Sequence, residues 1–581
     1  MNYYVITSSF NWSSISTSYA DSIWEINQEF DLSSVGTVTL PANVTLRFTN
    51  NGCILNASNF IGDNTSIECA FPQQIFQDTS FSGTYRLGTV YPEWFGVYGD
   101  GSADDYLAFE KAFELMALST PVTEVHTLML SQAYYVTSTI TPPCSIEVVG
   151  KDGAVLIANH ADFANLALLE IVYPFSKVSN IKLSNPYQYV AYDGDRNCAI
   201  LIKASNVTVD HCIIEKFLQG ITVRPPEVGG AEYIDIIITN NQILDNIGVS
   251  KEDRGDGITF WGSSGVIANN IVKCMEGQDA RIGIHCEALD TNNIDPDFLS
   301  YSVIIEGNLV EGPFRRGIVN EGLQGVVISD NVVNGGNTWW GIAVLDQANH
   351  TIVSNNHILY DRESTNDAGA SWNPKFSAIR IGGGTRNPKH VSVIGNTIHN
   401  KGYGHGVVVS AVGNSVNGNT EFIKIQDNTI QSDITFTSEE GKLFVGILLE
   451  NCKIIEATSN FVDSYYRGID SYNVEDVYIL DNKIYNSVTR GIRHQLPSNS
   501  ESIQICNNTV RYSNGGGIEV ANIDNLLLRG NTINSISGTA LMIQSVTGVV
   551  QDNVLFGSYG SQNYQGGTNS FTSIDNTNLG I

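Results

Sequence analysis

The stretch Gly325–Gly336 reads GVVISDNVVNGG: alternating apolar residues, a short polar bend at Asp330-Asn331, then a second apolar pair. The same phrase returns as VSVIGNTIHNKG around Asn396, VYILDNKIYNS around Asn482 and LLLRGNTINSIS around Asn531. Aligned on its asparagine, it places Asn241, Asn270, Asn308, Asn331, Asn356, Asn396, Asn428, Asn460, Asn482, Asn508, Asn531 and Asn553 at one repeating position. The tight spacings run from 22 residues (Asn460 to Asn482) to 26 (Asn482 to Asn508). A period in that range is the mark of a solenoid. The longer gaps read as one coil plus an inserted loop.

A second phrase, Gly-Ile followed by alternation, lies between the asparagines: GITFW at Gly257, GIHCE at Gly283, GIVNE at Gly317, GIAVL at Gly341, GILLE at Gly446, GIDSY at Gly468, GIRHQ at Gly491 and GIEVA at Gly517. A period of two means strands with one buried face. Residues one and three after the glycine point inward; residues two and four point outward. Two strands and a turn fit in one coil, with no room for a crossover helix of a dozen or more residues. The expected fold is all-β, a right-handed single-stranded parallel β-helix, since parallel crossovers are nearly always right-handed. Each strand then lies ~4.8 Å from its equivalent one coil on. The repeating asparagine sits at a bend, where it tolerates a left-handed conformation and stacks in register on its equivalents. It is an architectural residue.

Composition agrees. Of 581 residues, 42% are hydrophobic and only 16% charged, with 54 Gly and 15 Pro. Disordered chains carry more charge and fewer apolar residues. The net charge of −29 argues against nucleic acid, whose phosphates require basic patches. No apolar run approaches the ~20 residues of a membrane span, so no membrane insertion is expected. The opening MNYYVITSSFNWSS has neither the basic region nor the apolar core of a secretory signal. Nine scattered cysteines without a CxxC read as reduced, mostly buried thiols of a chain folded in a cytoplasm. The sequons at Asn43, Asn64 and Asn206 read as turn or ladder asparagines.

A solenoid needs caps for its terminal coils. The strong helix signal is SADDYLAFEKAFELMALS, with Ser102 or Asp104 as N-cap and Leu107, Phe109, Phe113, Leu115 and Met116 as the apolar face. It follows YPEWFGVYGDG directly. The run from Pro92 to Phe113 resembles the opening motif of the pectate-lyase-like β-helix superfamily, found in phage tailspikes and carbohydrate-active enzymes. It departs from the pattern at Val97-Tyr98 and at Tyr106. This gives four segments. Residues 1–90 are a β-rich head or lead-in, 91–120 the capping motif and helix, 121–555 the β-helix, and 556–581 a Gly/Ser/Asn-rich tail. The first segment resembles those ahead of the β-helix in tail proteins of phages of gut Bacteroides-like hosts; an extra set of irregular β coils is the competing reading. The resemblance implies a virion component assembled in the host cytoplasm and acting as a homotrimer. It would contact other tail proteins through its N-terminal segment and bind and depolymerise a host-surface polysaccharide; a non-catalytic receptor-binding virion protein and a bacterial polysaccharide-degrading β-helix enzyme are the alternative readings.

Outward positions of the Gly-Ile strands give two candidate clusters. The first holds Arg224, Trp261, His285, Glu287, Glu321 and Asp346; the second holds Glu450, Asp470, Tyr472, Arg493 and Glu519. Three insertions, DNIGVSKEDRGD, ALDTNNIDPDFLSY and DRESTNDAGASWNPKF, flank the first and could wall a groove. Trp261, Trp339, Trp340 and Trp372 gather in the same third of the chain, and their flat faces suit sugar rings. Glycoside hydrolysis needs two carboxylates, one to protonate the leaving oxygen and one to activate water or attack. Glu287 with Glu321, or Glu287 with Asp346, are the candidate pairs. A lyase would need a base beside a cation, a role open to His285 with Arg281 or Arg316. No cofactor motif stands out. Asp100-Gly-Ser-Ala-Asp104 looks like a calcium loop only superficially; it lacks the remaining ligand positions, so no metal is expected.

Overall fold

The computed structural model describes residues 2–69, 72–119, 125–158, 166–186, 197–224, 232–248, 253–261, 263–278, 280–288, 302–336, 338–362, 375–383, 386–411, 420–434, 444–500, 502–557, 563–564, 570–574 and 576–580. Two compact units are present: Met1–Pro226 with Tyr233–Asp245, and Asn246–Ile581 with Glu227–Glu232. The second and third inserted loops fall largely, and Trp372 wholly, outside the described residues, as do positions 249–252 of the first loop and much of the segment 556–581.

In the second unit the strands pair in parallel, coil on coil, as a parallel β-helix. Each coil holds three strands rather than the expected two. One coil runs through Arg316–Glu321, Val327–Ser329 and Val332–Gly336, and the next through Trp340–Leu345, Ile352–Ser354 and His357–Asp361. The phrase GVVISDNVVNGG is therefore two strands with a bend between them, and the Gly-Ile phrase is the third. In later coils the first two strands merge, as in Val445–Thr458 and Gly516–Arg529.

Register turns the repeat into a core of three apolar stacks. The residue after the glycine gives one of them: Ile258, Ile284, Ile318, Ile342, Ile379 and Val407 pair in sequence. Val272, Val310, Val333, Ile358, Ile398 and Ile430 form another. All are essentially inaccessible. The glycine is needed where the coil closes on itself. A Cβ on Gly283 would sit 2.4 Å from Val310 Cγ1 and 2.8 Å from the Gly317 carbonyl oxygen.

The repeating asparagines form a buried ladder. Asn308 Nδ2 donates to Asn331 Oδ1, Asn331 to Asn356, Asn356 to Asn396 and Asn396 to Asn428, all at 2.9–3.0 Å. The ladder continues through Asn460, Asn482, Asn508 and Asn531 to Asn553, and then to Asn576 in the C-terminal tail. The left-handed conformation belongs to the preceding residue, not to the ladder asparagine itself. Asp330, Asn355, Asp427 and Asp481 have φ of 55–56°, and Gly395 has 67°. One residue turns the chain, and its neighbour can then aim its amide along the axis.

In the first unit, residues before position 90 already pair in parallel: Asn2–Val5 with Ser22–Ile26, that strand with Thr45–Phe48, and that in turn with Asn59–Cys69. Asn43 and Asn64 turn the chain at φ 58° and 54°, and Asn64 Nδ2 donates to Asn43 Oδ1. Asn206 is likewise left-handed. The helix spans Tyr106–Met116 with Asp105 as N-cap, one residue from the expected Asp104. It buries Ala108, Phe109, Ala112, Leu115 and Met116, but Leu107, expected inside, is 64% exposed, because the buried stripe is set by the strands beneath. The Pro92–Phe95 turn is held from within: buried Glu93 Oε1 accepts from Tyr134 at 2.6 Å and Ser131 at 2.5 Å. Asp100–Asp104 is an irregular strand paired in parallel with Ala133–Val136, and Asp100 Oδ1 accepts the Ser102 and Ala103 backbone N–H groups. All nine cysteines are free thiols, and six are buried. Among the described residues no helix is long and apolar enough to cross a membrane.

Candidate active site

Three consecutive Gly-Ile strands of the second unit, Asp256–Trp261, Ile282–Glu287 and Arg316–Glu321, build the site. Register sets Trp261 beside Glu287 and Glu287 beside Glu321, while Thr259, His285 and Val319 form the row behind them. These side chains point away from the core stacks, yet the inner row is not exposed: His285 is 1% accessible. Outward on a solenoid strand is therefore not the same as solvated. The outer row is more open, with the side chains of Glu287 34% and Glu321 25% accessible.

His285 is the hub. Its Nδ1 lies 3.2 Å from Asp256 Oδ2, and its Nε2 lies 3.3 Å from Glu321 Oε2 and 3.6 Å from Glu287 Oε2. Asp256, wholly buried, is gripped by Arg281 through Nε at 2.8 Å and through Nη2. Arg316 Nη1 stands 3.9 Å from Glu321 Oε2. Burial alone would hold His285 neutral, but the bonds to Asp256 and Glu321 prevail and raise it to about 9. Burial would raise Glu321 as well, but the His285 bond and charge, with Arg316 and Arg281, bring it down to about 2. Glu287 goes the other way: burial raises it, helped by the Glu321 charge and opposed by that of His285. Two glutamates on neighbouring strands thus differ in their affinity for a proton.

The other expected site residues are placed as follows. Asp346 lies one step past Leu345, the register partner of Glu321. It is left-handed and buried, and its Oδ1 accepts the Arg386 backbone N–H at 3.1 Å, so it shapes a turn. No described contact joins it to Glu287. Trp339 and Trp340 are buried, and Arg315 lies over one face of the former and Arg316 over one face of the latter, at 4.7 and 5.0 Å. Trp261 is partly exposed beside Glu287. Arg224 belongs to the first unit, where its backbone N–H continues the ladder to Ile202. In the second cluster Asp470, 2% accessible, is clamped by Arg493 through two bonds at 2.7 Å and by Arg467 at 2.8 Å. Glu519 is paired with Arg490 and Gln495, and Glu450 with Lys375. Tyr472 is 43% exposed.

Asp256 is the site residue that the outward-position rule misses. It stands immediately before the glycine of GITFW, and its register partners are Ile282, then Arg316 and Trp340. Aligning the residue before each glycine would have exposed it as an acid in a column that also carries Arg316.

The arrangement limits the chemistry. Nε2 faces two carboxylates and therefore carries a proton, so His285 is not a base toward anything bound at the glutamates. What it can do is hold an N–H between two carboxyl groups of unequal acidity.

No protein-family model matches the chain, and no curated protein sequence matches it. Solved structures similar to it include the A-module of the mannuronan C-5 epimerase AlgE6 from Azotobacter vinelandii (11% identity, 84% of this chain and 99% of that one, TM-score 0.30). Others are pre-mature gene product 12 of bacteriophage phi29 (14% identity, 85% and 56%, TM-score 0.40) and the Dettilon tailspike protein (11% identity, 70% and 66%, TM-score 0.37). The architecture stands on the strand pairing described above, independently of these likenesses.

Proposed function

We propose that the protein is a phage tailspike or tail-fibre component that binds a host-surface polysaccharide and cleaves it by glycoside hydrolysis. The observation that carries the reading is the pair of glutamates on one histidine nitrogen, with environments that push their proton affinities apart. Such a divergence is how one site obtains both an acid and a base. Glu287, the more basic carboxyl, is the general acid. Glu321, held ionised, attacks the anomeric carbon or activates water. Neighbouring strands ~4.8 Å apart bring the two carboxyl groups toward the ~5–5.5 Å spacing of retaining enzymes rather than the ~6.5–9.5 Å of inverting ones. Trp261, partly exposed beside Glu287, is the aromatic assigned to a sugar ring. The elimination reading is disfavoured because its candidate base, His285, is protonated toward the site.

The same reading makes the protein a virion component working as a homotrimer, with the N-terminal coils turned to other tail proteins. The test is incubation with purified capsule and lipopolysaccharide from the host. New reducing ends without the ultraviolet absorbance of unsaturated uronates support hydrolysis. Unsaturated products would establish a lyase, and binding without cleavage would reduce the glutamate pair to a structural network in an adhesin.

A further inference from the structure

Asp256 has no place in the two-glutamate scheme, yet it is the most buried acid of the site, and burying a carboxylate is costly unless cations compensate it. Two face it: Arg281, through a two-point contact, and His285 Nδ1 at 3.2 Å. The opposite side of the ring looks onto Glu321 and Glu287. Among the described residues, the charged groups that face His285 are Asp256 on the preceding strand, Arg281 just before its own strand, Glu287 at the end of it, and Glu321 on the next, with Arg316 behind Glu321.

We infer that Asp256, clamped by Arg281, is a positioning residue that holds His285 as a doubly protonated imidazolium, whose Nε2–H then fixes Glu321 as the ionised member of the glutamate pair. Asp256 touches no substrate. It acts at one remove, by supplying the acceptor that keeps Nδ1 protonated. The inference deepens the hydrolase reading and rests on it for its catalytic consequence. A competing arrangement has the same atoms: Arg281 Nη2 also lies 3.2 Å from Nδ1 and could donate to it, leaving a neutral ring protonated on Nε2 alone. Geometry favours the imidazolium, because Arg281 directs Nε and Nη2 at the two oxygens of Asp256 and leaves Oδ2 facing Nδ1.

The experiment is nitrogen-15 NMR of the full chain labelled at histidine, at pH 7.5, with the His285 signal assigned from His285→Gln. Two protonated ring nitrogens in the wild type and one in Asp256→Asn are expected. A neutral His285 in the wild type overturns the inference whether or not the protein cleaves glycan, and an imidazolium in both proteins removes Asp256 from the role. Should Asp256→Asn fail to fold, the wild-type titration decides alone: the ring should remain charged until about pH 9, not lose its proton near 6.5. A merely structural role for Asp256 would lower activity without changing the number of protonated ring nitrogens on His285. Absence of cleavage with the imidazolium present would sink the hydrolase reading and leave the His285 assignment standing.

Discussion

Asn331 donates both its backbone N–H and its side-chain Nδ2–H to a single atom, Oδ1 of Asn356, at 3.0 Å each. Asn356 repeats this toward Asn396 and also donates to the Ile328 carbonyl at 2.9 Å. Replacing Asn356 by Ala therefore strands two donors and an acceptor in a dry interior. A buried unsatisfied group costs roughly 1–3 kcal/mol, so Asn356→Ala should destabilise by about 3 kcal/mol or more. The check is the melting temperature beside that of Ser13→Ala, whose hydroxyl bond to Asn11 lies at the surface. Equal shifts would show that the ladder contributes no more than surface contacts.

The two glutamates should fail in the same assay for different reasons. Glu287→Gln and Glu321→Gln should each reduce turnover by at least ~10²–10⁴-fold, the usual worth of general acid–base assistance. Glu287→Gln should melt as the wild type does. Glu321→Gln should melt slightly lower, because His285 loses a charged carboxylate partner and keeps only a neutral amide oxygen. In the second cluster Asp470→Asn should leave turnover within a few-fold yet destabilise, since Arg467 and Arg493 lose their shared carboxylate. Loss of activity from Asp470→Asn in a fully folded protein would move the active site to the other end of the unit. Product analysed by proton NMR before mutarotation should keep the anomeric configuration of the substrate.

Stability should fall on both sides of neutrality, through different histidines. Burial depresses His405 to about 3 and His494 to about 4. Below ~6.5 the unfolded chain binds protons there that the folded one refuses, so stability declines as pH drops from 6.5 toward 4. His285 has the opposite sign. Raised to about 9, it contributes stability that is complete below 6.5 and lost as pH rises through 9. Thermal melts from pH 4 to 10 should trace this dome. His405→Gln should flatten the acid side and leave the alkaline side intact, whereas an unaltered acid side would rule His405 out.

Gly283→Ala should be among the most damaging single-methyl changes, because the new Cβ meets a valine methyl and a backbone oxygen that cannot both move. Ala378 occupies the equivalent position one strand after Gly341, so Ala378→Gly should be tolerated there. Soluble yield and melting temperature give the comparison. A Gly283→Ala protein that melts with the wild type would mean that the coil closure is looser than its contacts indicate.

The repeat of Asn241 to Asn553 and the Gly-Ile phrases determined the solenoid from the sequence alone. Both are local signals, a bend residue and a two-residue alternation, and stacking in register turns each into a continuous column. The same signals could not count strands: GVVISDNVVNGG holds two strands because Asp330, not Asn331, takes the left-handed turn. The site was half legible. His285, Glu287 and Glu321 follow from outward alternation, since parallel register carries position two and position four of each phrase onto its equivalents. Asp256 and the fate of Asp346 do not follow. Whether an outward carboxylate is solvated, clamped by an arginine or spent on a turn depends on which long side chains and loops fold over that face. Burial then sets the charge on each group. Those are tertiary relations between residues 25 to 40 positions apart, and no periodicity in the chain encodes them.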